Sequence, residues 1–163
     1  MQDAEKYSVL VVDDESSNIM TLSHILSPLY TVYAAKSGKN AIKAAHKYLP
    51  DLIMLDVIMP EMDGYDVITE LKSSEKTKNI PVVFITGLSG PGEEEKGLSL
   101  GAADYITKPF SSEVVRLRIR NQITVLEQMR AIERIGMLDG LTGLPNRRSF
   151  DQRFNLEWKR ARR

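Results

Sequence analysis

The chain has 163 residues, with 22 Lys and Arg against 22 Asp and Glu, two His, no Cys and 42% hydrophobic residues. That length suits one ordinary domain, or one domain with part of a second, and is ample for a sizeable core. There is no run of about 18 apolar residues and no basic-then-apolar leader in Met1 to Lys6, so neither a transmembrane nor an exported protein is expected, and the cytoplasm is the expected location.

Without Cys there is no disulfide framework, thiolate metal site or Cys nucleophile. His24 and His46 fall in separate amphipathic segments with no other candidate ligands nearby, and they read as ordinary histidines. The zero net charge hides an asymmetry. Residues 1–110 hold 10 Lys and 16 acids, hence −6, whereas residues 111–163 hold 12 basic residues, including all 11 Arg, and 6 acids, hence +6. A chain that changes its charge sign and its preferred cation at one point reads as two joined units.

In chain order, short apolar runs alternate with helical patterns. The runs are Ser8 to Val12, Thr31 to Ala34, Asp51 to Leu55, Pro81 to Ile85 and Asp104 to Ile106. Runs of this kind are strands covered on both faces by crossover helices. Between them, Asn18 to Leu29, Ala41 to Leu49, Tyr65 to Leu71 and Glu93 to Leu100 read as helices. A fifth helix opens at Ser111 or Ser112, either of which can cap it, and meets no breaker before Gly136. The expectation is an α/β fold: a doubly wound parallel (βα)5 sheet with right-handed crossovers. The fourth helix is expected to be weak, because Gly90-Pro91-Gly92 precedes it and Gly97 lies inside it. Its Glu93-Glu94-Glu95 reads as a solvated first turn favoured by the helix dipole.

A doubly wound sheet collects function at the carboxyl ends of its strands. Asp13-Asp14-Glu15 follows the first strand, Asp56 the third, Thr86-Gly87 the fourth and Lys108-Pro109 the fifth. Carboxylates converging on one mouth need a cation, and hard oxygen donors suit Mg2+. Lys108 adds a point charge and Thr86 a hydroxyl donor, so the set can receive a phosphoryl group. Asp56 is already an anionic nucleophile and can form an aspartyl phosphate without a separate base.

Val11-Val12-Asp13-Asp14-Glu15, Asp56-Val57-Ile58-Met59-Pro60-Glu61-Met62-Asp63-Gly64, Ile85-Thr86-Gly87 and Gly101 to Phe110 with its Lys108-Pro109 pair together resemble the receiver domain of two-component response regulators. The resemblance runs through most of residues 6–125. It implies strand order 2-1-3-4-5 and makes Asp56 the phosphoacceptor. It also implies a Mg2+ site of Asp13, Asp14, Asp56 and the backbone carbonyl of Ile58. Thr86 becomes the switch hydroxyl, Lys108 the ion-pair partner of the phosphoryl group and Tyr105 the aromatic that changes rotamer with Thr86, while the bond before Pro109 is expected to be cis. The implied partner is a sensor histidine kinase or a phosphotransfer protein. Pro60 forces a turn after the acceptor loop, and Gly64 is read as supplying backbone angles closed to other residues.

The fifth helix is longer than a receiver sheet needs. Its Ile119, Ile123, Leu126, Met129, Ile132 and Ile135 form a stripe that suits a homodimer through this helix; the face of helix 4, strand 5 and helix 5 is the other candidate dimer surface. Leu138 to Phe150 is turn-rich, with Asn146 able to cap a following helix, and it resembles the opening motif of GGDEF domains, the catalytic unit of diguanylate cyclases. Phe150 to Arg163 looks like the first helix of that domain. The catalytic GGDEF signature is absent, so the chain itself is not expected to be an enzyme. The expected organisation is a receiver over 1–122, a linker helix over 123–138 that continues helix 5, and the truncated start of a GGDEF domain over 139–163. Two rival readings stay open: a docking or dimerisation module that works without phosphorylation, and a DNA-binding regulator. The second is the weaker, since one basic helix cannot build a helix-turn-helix.

Overall fold

The computed structural model describes residues 6–88, 90–137, 144, 146, 147, 149–152, 154 and 158. Five strands, β1 (Ser8–Val12), β2 (Thr31–Ala35), β3 (Leu52–Leu55), β4 (Val82–Thr86) and β5 (Asp104–Thr107), alternate with α1 (Ser16–Leu26), α2 (Gly38–Tyr48), α3 (Gly64–Ser73), α4 (Pro91–Ser99) and α5 (Ser112–Gly136). The strands form one parallel sheet in the order β2-β1-β3-β4-β5, as the resemblance implied.

Alternation along each strand builds two cores. Leu10, Val12, Ile53, Leu55, Val82 and Phe84 face Ala41 and Ala45 of α2 and Val67, Ile68 and Leu71 of α3. On the opposite face Val9, Val11, Leu52, Met54, Val83 and Ile85 meet Ile19, Leu22, Ile25 and Leu26 of α1 and Val115, Ile119 and Ile123 of α5. This covering of both faces is why the strands read as continuous apolar runs.

Local chemistry sets the helix ends where they differ from the sequence expectation. α1 stops at Leu26, before Leu29, because Pro28 has no N–H with which to extend the ladder. α2 begins at Gly38, since the Ser37 side chain accepts from the Asn40 N–H, and it ends on Leu49 in the left-handed region at φ 46° ahead of Pro50. α4 starts two residues early, with Pro91 in the first turn, where its missing N–H costs nothing. At α5 the Ser111 hydroxyl accepts from the Val114 N–H at 3.2 Å.

The chain divides into two compact units between Ile123 and Thr124. In the second unit Asn146 caps a helical segment, its Oδ1 accepting from the Ser149 N–H at 3.0 Å, as its position after the turn suggested. Residues 138–143, 145 and 148 of the GGDEF-like motif, and 159–163, lie outside the described residues. Among the described residues, no helix is long and apolar enough to cross a membrane.

Candidate functional site

The site forms where β1, β3, β4 and β5 end. Register places it: Asp13 follows Val12, Asp56 follows Leu55, and Val12 and Leu55 are paired, so the two carboxylates leave adjacent strands side by side. The Asp56 N–H donates to Val12 O at 2.9 Å and ties the two strand ends together. Across β4, the Lys108 N–H donates to Thr86 O at 2.8 Å, which brings the end of β5 to the same mouth. The Lys108–Pro109 peptide bond is cis.

Asp13, Asp56 and Thr86 are buried, Asp14 is exposed, and one carboxylate oxygen from each of the three Asp lies within 4.8 Å of the others. Lys108 Nζ donates to Asp13 Oδ2 at 2.8 Å and to Asp56 Oδ2 at 2.9 Å. Asp13 Oδ1 accepts from the Glu15 N–H at 2.9 Å, and Asn18 Nδ2 reaches both Asp13 oxygens at 3.0 to 3.1 Å. Asp56 Oδ1 accepts from the Ile58 N–H at 3.2 Å. Each charge is thus met by a donor on a different element.

Burial raises the Asp56 pKa above the ordinary carboxylate value, and the Lys108 hydrogen bond offsets this only in part. For Lys108, burial opposes the charge, but the hydrogen bonds to Asp13 and Asp56 outweigh it and hold the ammonium above the ordinary lysine value. Lys108 therefore stays charged at neutral pH. A donor set of three carboxylates, with no sulfur or imidazole in it, suits a small hard cation such as Mg2+, and it is the only such acidic cluster among the described residues. His24 and His46 are both exposed and outside it.

The acceptor loop is shaped by close approach. A Cβ on Gly64 would meet the Asp56 carbonyl oxygen and come within 2.8 Å of Val57 Cα, while the Gly64 N–H donates to Val57 O at 2.9 Å. Glycine is required there for lack of space; its φ is not in the left-handed region, so the expectation of unusual backbone angles was the wrong reason. The unusual angle falls on Glu61, at φ 66°, in the turn where the Met62 N–H donates to Pro60 O at 2.8 Å. The turn expected after Pro60 is therefore present.

Thr86 Oγ1 accepts from the Leu88 N–H at 3.3 Å, and the hydroxyl of buried Tyr105 donates to Leu88 O at 2.9 Å. Both candidate switch side chains thus hold one residue of the β4–α4 connection. Two participants escaped the sequence reading. Asn18 carries a weak signal, five residues past Asp13 in the first turn of α1. Tyr65 carries none: its hydroxyl donates to Glu93 Oε2 at 2.7 Å, a contact visible only once α3 and α4 are placed.

Residues 9–120 match the response regulator receiver domain. A Vibrio cholerae protein named probable cyclic di-GMP phosphodiesterase is 42% identical over 123 residues, 76% of this chain and 28% of that protein. Response regulator PleD of Caulobacter vibrioides is 39% identical over 137 residues, 82% of this chain and 30% of that one. The chain therefore spans less than a third of the length of these relatives. Among solved structures, chemotaxis protein CheY4 of Vibrio cholerae superposes with a TM-score of 0.68 at 30% identity, over 71% of this chain and 98% of its own. The signal receiver domain of a histidine kinase from Syntrophus aciditrophicus does so at 0.67 and 34% identity, over 72% and 90%. The chain belongs to the response regulator receiver family.

Proposed function

We propose that this chain is a phosphorylation switch in which Asp56 takes a phosphoryl group from the phosphohistidine of a sensor kinase or phosphotransfer protein. The observation that carries the reading is the buried pair Asp13 and Asp56 bridged by Lys108, with the Thr86 hydroxyl at the neighbouring strand end. An Asp56 carboxylate oxygen attacks phosphorus, the P–N bond breaks, and its electron pair returns to the imidazole, which takes up a proton. Asp13, Asp14, Asp56 and the Ile58 backbone carbonyl would hold Mg2+, which when bound supplies positive charge against the phosphoryl oxygens. Lys108 stays near the new acyl phosphate as a fixed positive charge. Thr86 exchanges its Leu88 contact for a phosphoryl oxygen, and Tyr105 is the aromatic whose rotamer is coupled to that turn. That differential contact shifts a two-state equilibrium.

The output we propose is cyclic di-GMP synthesis by a parent diguanylate cyclase, in the cytoplasm, controlled through dimerisation. The GGDEF-like motif at 138–150 supports synthesis, while the Vibrio relative, named a probable cyclic di-GMP phosphodiesterase, supports an output tied to that nucleotide but not its synthesis. For pairing through the second half of α5, the support is that Met129, Ile132 and Ile135 are exposed, Ile135 at 72%, while Val115, Ile119 and Ile123 are buried. The test is phosphorylation by acetyl phosphate with Mg2+, read by mass spectrometry. Wild type should gain one phosphoryl group and Asp56→Asn none; uptake by neither, or equally by both, overturns the reading. Sedimentation of this chain against one ending near residue 122 tests the dimer, and equal association states would exclude α5 as its element.

A further inference from the structure

Charge is unevenly placed within the receiver. Residues 16–50 carry four Lys, two His and no acid, although residues 1–110 as a whole hold 16 acids. All four lysines gather where α2 meets the edge strand β2. Lys39 is taken by Glu61 at 3.1 Å, but Lys36, Lys43 and Lys47 have no ion-pair partner among the described residues. Together with Ala35, Asn40 and Tyr48 they line a groove of about 430 Å³. Aromatic rings organise one wall of it. Tyr48 stacks on Tyr33 of β2 at 4.3 Å between centroids, and the Lys47 ammonium lies 4.9 Å from the centre of the Tyr48 ring, within cation–π range.

The groove opens beside an unpaired strand edge, since β2 ends the sheet. The Thr31 N–H donates to Tyr7 O, and the Asp13 N–H to Ala35 O, so the odd-numbered residues of β2 face β1. Backbone groups of successive strand residues point to opposite sides, which turns the N–H and C=O of Val32 and Ala34 outward. Natural edge strands are commonly blunted by charge or proline. Thr31 to Ala35 has neither; the charge beside it sits on α2 and at Lys36. We propose that the β2 edge and the lysine groove form a docking site for an acidic, extended segment of a partner protein, which joins the sheet as an added strand. Backbone pairing with Val32 and Ala34 supplies the hold. Because side chains alternate along a strand, acids at every second position of the segment reach toward Lys36, Lys43 and Lys47. Charge chooses the occupant. A second copy pairing β2 to β2 would set two lysine faces against each other. A nucleic acid would meet lysines without the arginine forks that grip two phosphate oxygens at once, and would leave the strand edge unpaired.

The test titrates the chain with a synthetic peptide of about eight residues, within the usual length of a strand, that alternates Glu and Val. Amide NMR resonances and hydrogen exchange of β2 are followed. Three further probes run in parallel: the same peptide N-methylated throughout, which keeps the charges but cannot pair as a strand; a peptide with Lys in place of Glu; and an oligothymidylate. The Glu-Val peptide should shift the Val32 and Ala34 amides, slow their exchange by about tenfold at saturation, and bind more weakly as salt is raised. Replacing two exposed side chains, Lys43→Glu with Lys47→Glu, should leave the melting temperature near that of wild type and weaken the peptide by about tenfold, the scale of two surface ion pairs. The N-methylated and Lys peptides should leave the β2 amides unmoved. Unshifted Val32 and Ala34 amides at millimolar Glu-Val peptide overturn the proposal. Equal binding of the N-methylated peptide rejects the added strand, equal binding of the Lys peptide rejects the selection by charge, and tighter binding of the oligothymidylate would make this face a nucleic-acid surface instead.

Discussion

α3 and α4 cover the same face of the sheet and flank the same phosphoryl site, yet they are held by opposite means. α3 buries Tyr65, Val67, Ile68 and Leu71 and is capped by Asp63, whose carboxylate accepts from the Asp66 N–H at 2.8 Å. α4 has a glycine cap with no side-chain hydrogen bond, leaves Leu98 46% exposed, and rests on Gly97 and on the contacts of Tyr65 with Glu93 and Lys96. Apolar burial is insensitive to small rearrangements, because every orientation that excludes water recovers most of it. A hydrogen bond and a cation–π contact depend on position and are lost within about an ångström. The difference makes α3 the more firmly anchored of the two helices and α4 the more easily displaced.

Truncating one leucine on each helix is the most direct way to break the comparison. Leu71→Ala removes a buried side chain from the α3 core and should cost about 3 kcal/mol, read as a drop in urea midpoint at unchanged slope. Leu98→Ala on α4 should fall within about 0.5 kcal/mol of wild type. Similar losses at both positions would mean that α4 is anchored by apolar contact after all.

Gly64→Ala comes next. The new methyl would meet two backbone groups of the acceptor loop, Asp56 O and Val57 Cα, and backbone cannot swing aside as a side-chain tip can. We expect about 2 kcal/mol of destabilisation, together with slower phosphoryl uptake from acetyl phosphate, because the loop that aims Asp56 must shift. Wild-type stability and uptake would show that the loop has slack.

What the sequence disclosed follows the same division. The strands were legible because burial on both faces leaves unbroken apolar runs, and Asp13, Asp14, Asp56, Thr86 and Lys108 because each directly follows one. What stayed hidden depends on residues brought together from different elements. Tyr65 and Glu93 are 28 positions apart, and nothing in either segment marks its partner. Gly64 was visible as a glycine, but its reason, the carbonyl of a residue eight positions back, needed the packed loop. Gly97 looked like a weakness in a helix, and its packing against Phe84 could not be read from the helix alone.

Asp56→Asn tests the site between the two helices. Burial holds the folded-state pKa of Asp56 above its unfolded value. The stabilisation from protonated Asp56 is thus fully present below the unfolded pKa and is lost as pH rises through the folded one. At neutral pH without metal, the ionised carboxylate therefore costs stability. Asn, which cannot ionise, should melt at a higher temperature than wild type, by less than Leu71→Ala loses. The gap should close on acidification through the carboxylate range and narrow when Mg2+ is added. A lower melting temperature for the Asn variant at neutral pH would show that the Lys108 pair outweighs the burial of Asp56.

Gly97→Ala should produce the smallest change in stability, and it discriminates well because two effects oppose. Alanine favours helix over glycine by about 1 kcal/mol. Its methyl, however, would lie 3.0 and 3.2 Å from Phe84 Cδ2 and Cε2, and 3.7 Å from Tyr105 Cδ2. Phe84 is fully buried in β4 and bounded by the Tyr65 and Tyr105 rings, so the ring has little room and α4 must move outward by a few tenths of an ångström. We expect the melting temperature to stay near that of wild type while amide hydrogen exchange over 91–99 quickens. If stability instead rises by the full helix-propensity gain with α4 exchange no faster, Phe84 yields to the methyl. The seat of α4 would then be as tolerant as that of α3, and the contrast between the two helices would fail.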